Sequence, residues 1–351
     1  VRIQDIDTPA LLVDLEAMES NLNRMAAFFR DKQAKLRPHF KNHKVPLLAW
    51  KQLEAGAIGL TCATLREAEV LVHRGVRSIL IANEIAGDHK MNWLADLARH
   101  ADVIVAVDDR RVVSDLAAAA RQRGTSLSAL VDINVGLNRC GVEPGEPARV
   151  LARAVVDKGL RLRGLMGYEG QLQLLPQGEE KERAVRAVAK SLVDTKRLIE
   201  ADGTPVEIVS TGGTGTYYIS GAYPGITEIQ AGSYLLMDGI YAQRGSLFTP
   251  SLTVLATVIS RPDPRRAVLD CGVKALSGER GLSVLKGIEG VEIKALHAVH
   301  APLEIHDPDI CLEVGQKIEV WVQYHDGTVN LHDRMYGVRN GTVEEIFHIE
   351  R

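Results

Sequence analysis

Basic runs, disulfide patterning and membrane-length apolar stretches are all missing from this chain of 351 residues. Its formal net charge is −3, and no basic run is interleaved with aromatics. Nucleic acid and anionic membrane therefore have no electrostatic footprint to meet. The four cysteines, Cys62, Cys140, Cys271 and Cys311, form no CxxC pair. Scattered thiols in a chain this long suit a reducing cytoplasm better than a disulfide framework. No apolar stretch approaches the length that spans a bilayer. The opening VRIQDIDTPALLVD has no charged region followed by an apolar one, so it does not read as a secretory signal. There is no low-complexity linker. These absences predict a cytoplasmic protein with neither nucleic acid nor membrane as a partner.

What is present is a regular alternation. Apolar residues make up 46% and charged residues 25%, the mix of a globular chain able to bury a sizeable core. Eight short apolar runs recur: residues 36–41, 57–62, 78–82, 103–107, 127–133, 162–168, 206–210 and 226–230. Amphipathic segments lie between them. Met18, Leu22, Met25 and Phe29 repeat at helical spacing behind Asp14, a natural N-cap. Thr64 and Glu67 have the spacing of a capping box, and Gly75 falls where that helix should stop. Apolar strands separated by helices indicate a parallel sheet buried on both faces. Eight such units predict an α/β fold, a (β/α)8 TIM barrel, over residues 1–240. From 241 to 351 the helical period fades into short strand-like runs such as SLTVLATVIS, RAVLDCG, KIEVWVQY and EEIFHI. This predicts a C-terminal β-rich domain, with ALLVD near the N-terminus pairing into it.

Barrel active sites lie at the C-terminal ends of the strands. After the seventh run comes Ser210-Thr211-Gly212-Gly213-Thr214-Gly215-Thr216, and after the eighth Gly232-Ser233. Small residues admit a phosphate close to backbone N–H groups, and barrels often bind phosphate after strands seven and eight. A flexible turn would look the same, but the position favours phosphate. The first run carries Lys41. Lysine is seldom buried, and desolvation there would supply a neutral amine fit to form a Schiff base. A structural ion pair is the plainer alternative. Lysine together with a phosphate site is what pyridoxal 5'-phosphate requires.

RPHFKNHK, with DTPALLVD, TLREAEVL, DINVGLNRCGV, MGYEGQLQ, STGGTGT, TEIQAGSY and TVNLHDRMYGVRNG, resembles the D-threonine aldolase and D-serine dehydratase family. That family shares the alanine-racemase-like fold. The resemblance implies a lyase that cleaves D-3-hydroxy amino acids to glycine and an aldehyde. A D-serine or D-3-hydroxy amino acid dehydratase is the alternative, followed by an amino-acid racemase and a non-catalytic cofactor carrier, whose relatives lack a second domain. It implies Lys41 as Schiff-base lysine and proton shuttle, and Arg139 near the cofactor's phenolic oxygen. Tyr168 would line the pocket. Thr211, Gly212, Gly213, Thr214, Gly232 and Ser233 would hold the phosphate. Gln230 stands where alanine racemase has an arginine facing the pyridine nitrogen, so the ring would be a restrained electron sink. Tyr234 would be a pocket or a packing residue. A homodimer is implied.

The family also binds a divalent metal, such as manganese, magnesium or zinc, through a histidine and an aspartate or cysteine two residues later. Here Tyr324 takes the histidine's place, Asp326 the second place, and His325 is displaced by one. Adjacent residues on a strand face opposite ways, so His325 and Asp326 could share a metal only in a turn or bulge. Gln171 replaces a histidine found in many relatives. His300 matches a family histidine and is the candidate base, and His297 with His300 forms a weaker HxxH option.

Overall fold

The computed structural model describes all 351 residues. The chain divides into two compact units. One comprises residues 24–41 and 46–232 with Arg351. The other comprises residues 1–23, 42–45 and 233–350. No helix is long and apolar enough to cross a membrane.

Strand β1 (Ala10–Asp14) and helix α1 (Leu15–Phe29) come first. The Asp14 carboxylate accepts the Ala17 N–H at 3.0 Å and so starts the helix. The barrel strands follow: β2 (Lys35–Leu36), β3 (Leu60–Cys62), β4 (Ser78–Glu84), β5 (Asp102–Val107), β6 (Ser128–Asp132), β7 (Arg161–Met166), β8 (Ile208–Thr211) and β9 (Glu228–Ile229). They pair in parallel in the order β2-β9-β8-β7-β6-β5-β4-β3. The segment after β2 closes the ring: Ile58 N donates to Leu36 O and Thr61 N to Pro38 O. Leu80, Ile104, Ala106, Leu130, Met166 and Ile208, contributed by β4 to β8, pack together as one core. These positions explain the near-continuous apolar runs, since both faces of each strand are covered.

Helices α2 (Pro46–Glu54), α3 (Leu65–His73), α4 (Asp88–Leu97), α5 (Arg110–Arg123), α6 (Glu146–Asp157), α7 (Glu179–Glu200) and the short α8 (Tyr217–Ser220) alternate with the strands. Thr64 caps α3 by accepting the Glu67 N–H, while the Glu67 carboxylate reaches back to Ala63 N. Asp109 caps α5, which Gly124 ends with φ of 61°. Such left-handed backbone is cheap only for glycine.

The second unit holds helix α9 (Gly239–Ala242), strands β10 (Leu252–Asp263), β11 (Arg266–Leu269), β12 (Val291–Ile293), β13 (Ala301–Ile305) and β14 (Lys317–Trp321), helix α10 (His325–Val329), and strands β15 (Arg334–Arg339) and β16 (Thr342–His348). Its sheet runs β12-β13-β11-β10-β1-β15-β16, with β14 also on β10. Strand β1 lies inside this sheet, antiparallel to β10 and parallel to β15. Ile6, Ala10, Leu12 and Leu255 form a buried cluster there.

Candidate active site

Lys41 does not lie on a strand. β2 stops at Leu36, Pro38 offers no N–H to extend a ladder, and Phe40–Asn42 make a single helical turn. Lys41 is half-buried in that turn, at the C-terminal end of β2. It belongs to the barrel unit, while Asn42, the next residue, belongs to the β-rich one.

Other expected residues of the barrel stand at the same ends of their strands. Arg139 is exposed, with its guanidinium carbon 5.7 Å from the centre of the Tyr168 ring, within cation–π range. Gln230 follows β9, and its amide donates to Ser210 Oγ at 2.9 Å. Thr211, Gly212, Gly213, Thr214 and Gly232 are buried and Ser233 half-buried. Several donors of the glycine-rich segment are turned inward. Thr211 Oγ1 donates to Gly167 O at 2.7 Å, Gly212 N to Glu169 Oε2 at 3.1 Å and Gly213 N to Thr216 Oγ1 at 3.1 Å. Gly215 N donates to Gln173 at 2.9 Å. A Cβ on Gly213 would lie 2.5 Å from Gln173 Oε1, and one on Gly215 would lie 2.1 Å from Gln173 O. These glycines are needed for close packing against Gln173. Tyr234 is fully buried, its ring 5.7 Å from that of Phe248.

Sequence reasoning passed over the acidic group beside Arg139. Glu84, Asp108 and Cys140 present their polar atoms within 4.8 Å of one another, and Asp132 is buried at the end of β6. Burial, with Glu84 and Asp108 adding to it against Arg139, pushes the Asp132 carboxyl up to about 8. Burial and Glu84 push the Cys140 thiol up to about 11. No motif marks this group, because its members come from three different strand ends.

In the β-rich unit, Tyr324 N-caps the turn α10. The helical start of this turn lets neighbouring side chains converge. His325 Nε2 lies 3.0 Å from Asp326 Oδ1. His325 Nδ1 is held by Asp238 Oδ2 at 2.5 Å, and both residues are 2% exposed. The Asn42 amide lies 2.7 Å from His325 Nε2 and 2.5 Å from Asp326 Oδ1. Burial alone would lower the His325 pKa, but Asp326 and Asp238 push it up to about 10. Tyr324 is shifted upward by burial and by Asp326 and Glu279, so its hydroxyl stays protonated and is a poor metal donor.

The donor chemistry fits a divalent cation. Neighbouring ligands of an octahedral ion with bonds of about 2.1 Å stand about 3 Å apart. A histidine oriented by a carboxylate on its other nitrogen is the usual support of a metal-binding imidazole. Asn42 and Asp238 complete this arrangement; Asn42 lies within RPHFKNHK, but no role was read for either residue from the sequence. His297 and His300 are exposed on the turn between β12 and β13, where His297 N donates to His300 O at 2.9 Å. They join no group of three potential metal ligands.

Comparison with known proteins agrees with this architecture. Residues 13–239 match the alanine racemase N-terminal domain family, and residues 251–338 the putative serine dehydratase domain family. The chain is 36% identical over 349 residues to the D-threonine aldolase of an Arthrobacter species, covering 98% of this chain and 92% of the relative. It is 33% identical over 361 residues to the 3-hydroxy-D-aspartate aldolase of Paracoccus denitrificans, again covering 98% and 92%. The crystal structure of D-threonine aldolase from Filomicrobium marinum superposes with a TM-score of 0.96 at 37% identity, covering 100% of this chain and 96% of that one. D-threo-3-hydroxyaspartate dehydratase from Delftia sp. HT23 superposes with a TM-score of 0.90 at 26% identity, covering 99% and 98%. A mutant of that dehydratase is described in a metal-free form. A barrel with a lysine turn and a glycine-rich segment at its strand ends, followed by a β-rich unit with a histidine–aspartate pair, places this chain in the D-threonine aldolase and D-serine dehydratase family, on the alanine-racemase-like fold.

Proposed function

We propose that the chain is a pyridoxal-phosphate lyase of the aldolase type, converting a D-3-hydroxy amino acid to glycine and an aldehyde. The observation that carries this reading is the likeness to two aldolases along 98% of the chain. When bound, the cofactor supplies a conjugated electron sink for the pair released by Cα–Cβ cleavage.

Lys41 would hold the cofactor covalently and afterwards carry a proton to and from Cα. Arg139 would face the phenolic oxygen and Tyr168 line the pocket. Thr214, Gly232 and Ser233 would hold the phosphate, with Thr211, Gly212 and Gly213 shaping the cradle beneath it. Gln230, a neutral amide fixed by Ser210, cannot keep a ring nitrogen protonated as an acid would. His325 and Asp326 would hold a divalent cation that polarises the β-hydroxyl, with the Asn42 NH2 orienting the Asp326 carboxylate beside them. The hydroxyl proton would leave to a base in exchange with water, for which exposed His300 is the candidate. The protein would work in the cytoplasm as a homodimer.

The test is product analysis with D-threonine and D-serine, with and without manganese after chelator treatment. We expect glycine and acetaldehyde from D-threonine, little turnover of L-threonine, and activity restored by the metal. Ammonia and a 2-oxo acid would establish the dehydratase reading instead. That reading has the Delftia dehydratase fold in its favour. Full activity in a demonstrably metal-free preparation would remove the metal from the scheme.

A further inference from the structure

Glu169 is 0% exposed and lies directly under the glycine-rich segment. A carboxylate is a poor neighbour for a phosphate, since like charges repel strongly where water is excluded. Its hydrogen bonds show another use. Oε2 accepts from Gly212 N at 3.1 Å and shares with Gly167 O the single proton of Thr211 Oγ1, 3.0 Å away. Oε1 accepts from Thr216 Oγ1 at 2.7 Å and from Ser220 Oγ at 3.3 Å. Thr216 Oγ1 in turn accepts from Gly213 N at 3.1 Å and Gln173 Nε2 at 3.0 Å. Gln173 Oε1 takes Gly215 N. Lys181, 2% exposed, donates to Gln173 O at 3.0 Å and so fixes the outer end of the network.

We infer that Glu169 is a positioning residue that sets the glycine-rich segment in its phosphate-receiving shape before the cofactor arrives. The inference rests on the reading of that segment as the phosphate cradle. Only an acceptor at both oxygens satisfies this network. A glutamine placed with its NH2 at the Oε2 position would point a donor at the Gly212 N–H, which cannot reverse. Placed the other way, its NH2 would meet Thr216 Oγ1, whose lone pairs already serve Gly213 N and Gln173 Nε2. Either orientation dislocates the segment at Gly212 or at Gly213. Removing the charge acts in the opposite direction, since a neutral side chain repels phosphate less. The two effects therefore predict opposite signs.

The experiment titrates cofactor-free protein with pyridoxal 5'-phosphate and, separately, with pyridoxal, which lacks the phosphate. Binding is followed by absorbance and by intrinsic fluorescence. Glu169→Gln should weaken pyridoxal 5'-phosphate binding tenfold or more while pyridoxal binding stays within twofold. Thr216→Val should do the same, and Thr216→Ser should recover the parental preference. Unchanged or tighter binding of the phosphorylated form by Glu169→Gln overturns the inference, as does an equal loss for both ligands. If Glu169→Gln does not fold, the Thr216 pair decides: parental selectivity in Thr216→Val overturns it. A parent protein with no preference for the phosphorylated ligand overturns the cradle reading itself.

Discussion

A Schiff-base amine must stand at the barrel end that also holds the phosphate, and two lysines stand close together in the sequence here. Lys41 occupies the turn at the C-terminal end of β2, in the unit that carries the glycine-rich segment, whereas Lys44 belongs to the β-rich unit and has its amine on Asn330 Oδ1. Borohydride treatment followed by peptide mapping should therefore find the reduced cofactor on Lys41 and none on Lys44. Lys41→Ala should abolish activity and leave the melting temperature within a few degrees. Asp132 gives a pH prediction. Its carboxyl titrates at about 8 in the folded chain, above the ordinary carboxylate range near 4. Between those values the native state binds more protons than the unfolded one, so stability falls as pH rises through this window. Asp132→Asn should melt like the parent near pH 4, and at a higher temperature than the parent at pH 9. Thermal melts showing the same difference at every pH would refute this.

Two strands of two residues each, β2 and β9, close the barrel, and their ladder is too short to hold by itself. Arg37 and Glu228 strengthen it with a bidentate pair at 2.9 and 2.7 Å, 4% and 5% exposed. Glu228→Gln would leave a buried cation without its counter-charge. The expected loss is about 3–5 kcal/mol, measurable by urea unfolding; a loss below about 1 kcal/mol would show that the pair is not what closes the ring. At this scale the sequence was informative where pattern is local. β4 to β8 follow their apolar runs because both faces are buried, and Asp14, Thr64 and Gly124 bound helices by local chemistry. Strands β12, β13 and β15 escaped notice because VEI, APLEI and RMYGVR are short or mix charge and proline among few apolar residues. The glycine-rich segment was legible as a place of close approach. Its partners Gln173 and Glu169 were not, since they lie about 40 residues away. His325 and Asp326 were read on strand geometry, but the chain makes a helical turn there. Asn42 lies within RPHFKNHK, but nothing local ties it to a histidine far along the chain, and Asp238 lies in no motif.

Taken whole, the chain is threaded twice through its β-rich unit before the barrel is complete, at residues 1–23 and 42–45. Deleting residues 1–14 would strip β1 from between β10 and β15 and expose two apolar edges. The shortened protein should aggregate, and any soluble fraction should lose hydrogen-exchange protection in β10 and β15 first. Protection equal to the parent's in those strands would contradict the pairing. The same arrangement bears on how a ribosome delivers the molecule. β1 is made well before either of its neighbours, since Leu11 pairs with Val254 and Leu12 with Tyr336. At about 5–20 residues per second, an apolar strand waits through the synthesis of the whole intervening barrel for its first partner. During that interval ALLVD is an unpaired apolar segment, and the arrival of β10 and β15 decides when it is covered.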